Sequence, residues 1–273
     1  MGNRWASGGL SGGRSVFTAL HDGLTVDLIA THTNDLRTCT PHELVEDVLR
    51  RNPEDFDFLP VVNEASRFVG LFHAAAHRER RTLGTVWQCY VPISEDFLLG
   101  ADASILEFVL DADEKPCRLV ISGTKVVGLV SLSDLQRLPV RAALFALITG
   151  LEMTMADLIR TRHAKSEEWM RFLTASRQAK IEEEYEKANC EDGYVDTLLF
   201  TQFCDKRDII IQNLPEPERT SLRAALGRIE SLRNGVAHAN EYASTPTQAK
   251  NVCKVIRELL CLVDHFREQL PGA

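Results

Sequence analysis

The feature that most constrains this chain is an internal repeat. The run LPVV at 59–62, a polar turn from Asn63 to Arg67 and FVGLF at 68–72 recur as RLVI at 118–121, a Ser122-Gly123 turn and VVGLVS at 126–131. Val62 finds its counterpart in Val120 and Gly70 in Gly128, 58 residues later in both cases. Short apolar runs bounded by Gly, Ser and Asn predict paired strands. A helical pattern precedes each pair: HELVEDVL after Thr40-Pro41, and SILEFVLDA at 104–112. One helix–strand–strand–helix unit cannot bury its apolar face alone. The two copies are therefore expected to pack together as one α/β module over 16–160.

After Pro139 the pattern changes. Residues 140–162 hold a nearly uncharged helical run and then ADLIRTR. Helical segments are expected at 164–189, 193–212, 216–239 and 246–270, punctuated by Asp192-Gly193, Asn213 to Pro217 and Ser244 to Pro246. The last carries Val252, Val255, Ile256, Leu259, Leu260, Val263 and Phe266 at three- and four-residue spacings, the pattern of a helix buried on one side. Amphipathic helices joined by short loops predict a four-helix bundle over 161–273. The expected fold class is thus an α+β N-terminal module followed by an all-α bundle. Residues 1–15, rich in Gly and Ser, read as a flexible tail. The acidic run Glu182 to Glu186 reads as a solvated face, and Asp205 to Asp208 as a charge cluster that caps and solvates a helix.

Composition narrows the function. With 31 Lys and Arg against 39 Asp and Glu, the formal charge is −8, the wrong sign for a protein that coats nucleic acid non-specifically. It leaves room for a small local site. The longest apolar stretch, Ala142 to Leu151, is about half of what a membrane span requires, so no membrane partner is expected. Seven Cys are scattered without close C-x-x-C pairs, which fits reduced thiols in a cytoplasm and gives no metal site.

The second repeat ends in GLVSLSD, Gly128 to Asp134. These residues resemble the motif of a cystathionine-β-synthase-type (CBS) domain pair: Gly, two apolar residues, Ser or Thr, two variable residues, Asp. The resemblance spans about 24–160. It implies binding of an adenine nucleotide (AMP, ADP, ATP or a related compound), with Asp134 accepting from the ribose hydroxyls and Ser131 contacting phosphate. An ionised carboxylate is acceptor-only and suits a vicinal diol. A helix start adds N–H groups that favour an anion. The same Ser-x-x-Asp is also an ordinary helix-capping arrangement that needs no ligand. At the repeat offset Ser131 becomes His73 and Asp134 becomes Ala76, which predicts one nucleotide site per chain, not two.

The segment SLRNGVAHANEY holds Arg233, Asn234 and His238. This R-N-x-x-x-H pattern, in the third of four helical segments, resembles the signature of HEPN (higher-eukaryote and prokaryote nucleotide-binding) domains. The resemblance covers about 164–270. It implies a metal-independent endoribonuclease acting on an RNA substrate, with no cofactor needed for catalysis and an Arg–His site composed across a homodimer. A homodimer through both modules is the corresponding expectation. Histidine suits proton transfer near neutrality, and a guanidinium stabilises charge on phosphate oxygens. Five residues along an ideal helix turn through about 500°, which leaves Arg233 and His238 about 140° apart. Gly235 between them is a point where the helix is able to loosen or stop. The alternative is a ligand-sensing interaction protein whose bundle is catalytically silent, with Arg233 complementing the helix dipole and His238 acting as a cap.

Overall fold

The computed structural model of the protein describes residues 23–80, 82–190, 196–212, 214–238 and 240–271. The expected tail at 1–15 and the Asp192-Gly193 breaker lie outside them. Compactness divides the chain into two units, His21–Val140 with Thr245–Lys250, and Arg141–Ser244 with Asn251–Ala273. The division falls at Val140, within a helix, and not at the expected residue 160.

The first unit is built on β1 (Thr31–His32), α1 (Val45–Arg50), β2 (Phe58–Val62), β3 (Phe68–His73), α2 (Ala74–Arg80), β4 (Val91–Pro92), β5 (Leu98–Gly100), α3 (Ile105–Asp111), β6 (Cys117–Ser122) and β7 (Lys125–Ser131). Local chemistry accounts for these elements. Ser104 caps α3 by accepting from the Leu106 N–H at 3.2 Å. The β2–β3 turn is closed by Asn63, whose Oδ1 accepts from the N–H groups of Ala65 and Arg67 at 3.0 Å each. The β6–β7 turn places Gly123 at φ 58°, where a side chain would be strained.

The strands form two sheets, β2-β3-β4 and β1-β7-β6-β5. Their pairing corrects the repeat offset on the first strand of each pair, since Val61 lies opposite Gly70 and Val120 opposite Gly128, so Val120 answers Val61 and not Val62. It also shows the repeat more fully than the sequence did. Strand β1, from the first repeat, pairs with β7 of the second, and β4, from the second, pairs with β3 of the first. Each repeat thus lends a strand to the other's sheet. A 3₁₀ turn precedes each lent strand, Val26–Leu28 and Val86–Gln88, each capped by a Thr in extended conformation. The V-G-L glycines lie where the lent strands cross. A Cβ on Gly128 would come within 2.7 Å of the Thr31 carbonyl oxygen, and one on Gly70 within 2.4 Å of the Val91 carbonyl oxygen. Leu71 of one sheet packs with Cys117, Leu119 and Leu129 of the other in a single buried cluster, so the sheets meet face to face as expected.

The second unit is largely helical. Its elements are α4 (Leu138–Arg162), α5 (Ser166–Met170), α6 (Ala175–Cys190), α7 (Phe203–Ile211), α8 (Glu218–Ala237) and α9 (Pro246–Arg267). Helix α4 runs 25 residues, well beyond that apolar stretch, and buries Ala143, Leu144, Leu147, Ile148, Leu151, Met155 and Leu158 on one stripe. By length and composition it could cross a membrane, but 61% of its most apolar window is buried within the fold. The segment expected as one helix at 164–189 is broken between α5 and α6. Gln178 Nε2 donates there to the carbonyls of Met170 and Leu173, 3.0 and 2.9 Å away, satisfying the end of α5. On α9 the expected apolar face is buried at Val252, Val255, Ile256, Leu259, Val263 and Phe266.

One expectation needs correction here. Asp205 does cap α7, as N3 of a capping box with Gln202, but Asp205 and Lys206 do not solvate the helix: they are 4% and 6% exposed. Asp205 is held by Arg177 and accepts from the Gln202 N–H at 2.8 Å, while Lys206 reaches Glu152 at 3.0 Å and the Thr201 carbonyl at 2.8 Å. Buried charges persist where they are paired in this way. The acidic run on α6 does face solvent, with Glu182, Glu183 and Glu186 exposed and Ile181 buried.

Candidate functional site

Two regions carry the residues singled out in the sequence. In the first unit, β7 ends at Ser131 and the chain turns at once into a short 3₁₀ helix, Leu132–Gln136. The Ser131 N–H donates to Asp134 Oδ2 at 2.7 Å and its hydroxyl lies 3.3 Å from the same oxygen. This is a reciprocal capping box. The other oxygen, Oδ1, accepts from Arg137 Nε at 2.6 Å, and Arg137 Nη2 in turn donates to Thr31 Oγ1 on the lent strand β1 at 3.0 Å.

Asp134 is only 5% exposed. Burial pushes its carboxyl above the usual carboxylate range, and the Ser131 N–H and the Arg137 guanidinium pull it part of the way back. Ser131 and Asp134 are thus brought together, but as a closed network. Both carboxylate oxygens already have donors, so a ribose would enter by exchange, most simply by displacing Arg137.

Sequence reasoning missed Arg137 and Thr31. Asp134 and Arg137 stand three residues apart, a spacing that signals an ion pair. Thr31 gave no comparable signal, because a two-residue strand lent across the repeats leaves no periodicity.

At the equivalent end of the first repeat, His73 lies flat on Phe58, with ring centroids 4.4 Å apart and planes 11° apart. Burial of that face lowers its pKa below 6.5. His77 stacks on Phe72 at 5.1 Å and its Nδ1 is 2.9 Å from Thr82 Oγ1. This end holds aromatic stacks in place of a hydroxyl–carboxylate pair.

In the second unit, Arg233, Asn234 and His238 lie at the C-terminal end of α8. The helix runs unbroken to Ala237, and His238 is its C-cap, with its N–H bonded to the Asn234 carbonyl at 3.1 Å. Gly235 does not loosen the helix. It serves instead as a contact point, since a Cβ there would lie 3.2 Å from Tyr242. With α8 unbroken up to His238, ideal helix geometry sets Arg233 and His238 about 140° apart, and no contact joins them among the described residues. Arg233 Nη1 is 3.4 Å from Asn234 Oδ1, and Asn234 and His238 are exposed. Among the described residues, no side-chain partner of His238 is present.

Arg141, on the first turns of α4, fixes this helix end. Its Nη1 donates to the carbonyls of Gly235 and Val236 at 3.0 and 2.9 Å, and its Nη2 to the Asn240 carbonyl at 2.8 Å. Its guanidinium carbon lies 4.9 Å from the centroid of the Tyr242 ring, a cation–π contact. Burial raises the Tyr242 phenol to about 12. A helix C-terminus exposes unpaired carbonyls and partial negative charge, and Arg141 answers both. The sequence did hold a signal: Arg141 is the lone charge in the run before Glu152.

Among solved structures, the chain is similar to the CBS domain of a bacterial CNNM/CorC family Mg2+ transporter in complex with ATP, at 18% identity and a TM-score of 0.38, covering 44% of this chain and 89% of that one. It is also similar to CBSX2 in complex with AMP, at 23% identity and TM-score 0.34, covering 45% and 97%. A third is a hemolysin-like CBS-domain protein of Oenococcus oeni, at 13% identity and TM-score 0.36, covering 44% and 92%. No protein-family model and no curated relative matches the chain.

Proposed function

We propose that the first unit is a tandem CBS pair that binds one adenine nucleotide at Ser131 and Asp134, and that the helical unit is a HEPN-type, metal-independent endoribonuclease assembled by two copies of the chain. The observation that carries the second half of this reading is the end of α8, where Arg233 is half-buried and Asn234 and His238 are exposed. Arg233 and His238 sit on a helix end tied down by Arg141, and on an unbroken helix a separation of five residues sets them about 140° apart. Two chains that bring these ends together supply the Arg–His pairing that one chain lacks, which is why the reading requires a homodimer.

In the composite site, His238 takes the proton of an RNA 2′-hydroxyl. The freed oxygen attacks the adjacent phosphorus, and the P–O5′ bond breaks. A 2′,3′-cyclic phosphate forms and the 5′-oxygen leaves with a proton returned by the histidine of the second copy. Arg233 donates to the non-bridging phosphate oxygens as charge accumulates, and Asn234 orients the phosphate.

The test is cleavage of single-stranded RNA in EDTA. Arg233→Ala and His238→Ala are each expected to lower the rate by at least about a hundredfold while leaving the dimer intact. Cleavage that persists in both overturns the nuclease reading. A parallel titration with AMP, ADP and ATP is expected to show binding to the wild type and at least about tenfold weaker binding to Asp134→Ala. No binding by either protein overturns the sensor reading. A second reading, a nucleotide-sensing interaction protein with a silent bundle, is favoured by the unbroken α8; it predicts nucleotide binding without cleavage.

A further inference from the structure

The first repeat carries a cavity at the end of its sheet away from His73. It has a volume of about 620 Å³ and is lined by nine residues, among them Pro41, His42, Asn63, Glu64, Trp87 and Tyr90. Its walls are tied together by backbone. The Trp87 N–H donates to the Pro41 carbonyl at 2.8 Å and the Val86 N–H to the Glu43 carbonyl at 3.0 Å. Tyr90 is held against β3 where Gly70 makes room: a Cβ on Gly70 would stand 2.2 Å from the Tyr90 ring. The Trp87 and Tyr90 rings are tilted by 57° with centroids 5.9 Å apart, and Trp87 is 63% exposed, an unusual position for so large an aromatic.

The charge of this lining is one-sided. None of the nine residues is Lys or Arg, so nothing there answers a phosphate. Glu64 is exposed, and none of the ion pairs found among the described residues involves it. The faces of Trp87 and Tyr90 add two negative π surfaces. Aromatic faces beside an unpaired carboxylate attract a cation that is weakly hydrated and able to lie against a ring.

We propose that this cavity binds an alkylammonium head group, seated on Trp87 and Tyr90 and neutralised by Glu64. The head group belongs to a free small cation or to a methylated lysine of another polypeptide. This inference stands apart from the nucleotide and nuclease readings, since it uses none of their residues.

The full chain, labelled with ¹⁵N, is titrated with tetramethylammonium chloride while the Trp87 indole N–H signal is followed, assigned by its loss in Trp87→Phe. A saturable shift is expected that sodium chloride at equal ionic strength does not produce. Glu64→Gln, a change on an exposed turn, is expected to weaken it at least about threefold. By calorimetry, Trp87→Leu is expected to weaken binding at least about fivefold. A trimethyl-lysine peptide that binds more tightly than the free ion identifies a polypeptide source, and equal affinity a free cation; both support the proposal. It is overturned by the absence of a saturable shift, by a shift unchanged in both Glu64→Gln and Trp87→Leu, or by AMP producing the same shift with equal affinity.

Discussion

The Ser131–Asp134 turn and the Arg233–His238 helix end are built in opposite ways. At the turn every polar group is already answered: Asp134 accepts from Ser131 through one oxygen and from Arg137 through the other, in a place that is nearly closed to water. At the helix end Asn234 and His238 are exposed and Arg233 is half-buried, and Arg233 makes a long 3.4 Å approach to its neighbour Asn234. The buried network contributes to the fold whether or not a ligand comes, because removing one member strands the others. The exposed residues contribute little to the fold and are open to solvent. What holds the helix end in place is a residue outside the motif, Arg141.

The largest expected effect breaks the support of the open site. Arg141→Ala removes three hydrogen bonds from a charged donor and the contact with Tyr242, and is expected to cost about 2–3 kcal/mol, read as a shift in the denaturant midpoint. Amide exchange should rise first at Val236 and His238. Arg141→Lys keeps the charge but not the fork, and should fall between the two. If Arg141→Ala matches the wild type in both measurements, the helix end is held by something else.

Next in size, Arg137→Ala opens the closed site. Asp134 keeps its capping bonds to Ser131 but loses its ion pair, at an expected cost of about 1–2 kcal/mol near neutral pH by chemical denaturation. The same change frees Oδ1. If Arg137 competes with a ribose for that oxygen, Arg137→Ala should bind AMP at least as tightly as the wild type despite being less stable. Weaker AMP binding would instead make Arg137 part of the ligand contact.

The contrast also explains how much was legible from sequence. The tandem repeat could be read because each strand pair carries its own apolar pattern and turn, and the V-G-L glycines mark where another strand crosses. The strand exchange could not be read, because β1 and β4 are two residues each and take their geometry from the sheet they join. Ser131 and Asp134 were placed correctly at a strand-to-helix junction by local spacing. Their link through Arg137 to Thr31, 106 residues away, depends on that exchange. Likewise, Arg233, Asn234 and His238 are near neighbours along the chain, whereas Arg141 reaches Gly235 over 94 residues. Local spacing records caps and motifs; long-range supports appear only once the fold brings them together. Gly235 shows the converse error, since a glycine read as a point where the helix loosens or stops instead lies inside an unbroken helix, close against Tyr242.

The smallest effect is a pH dependence, and it belongs to the closed turn. Burial raises the Asp134 carboxyl above 3.8, so the folded chain holds that proton more tightly than the unfolded chain does. The contribution of this group to stability is therefore fully present below the unfolded value and is lost as pH rises through the folded value. Asp134→Asn, which cannot ionise, should become progressively more stable relative to the wild type as pH is raised from below 3.8 toward neutrality, measured by urea denaturation at each pH. Arg137→Ala removes a guanidinium that favours the charged form, and should move the same transition to higher pH. His238→Ala, at the exposed helix end, should alter stability by no more than about 0.5 kcal/mol. A flat difference between wild type and Asp134→Asn across this range would mean that Arg137 and Ser131 fully offset the burial of the carboxylate, and the turn would then be a site already balanced for a charged Asp134 before any ligand arrives.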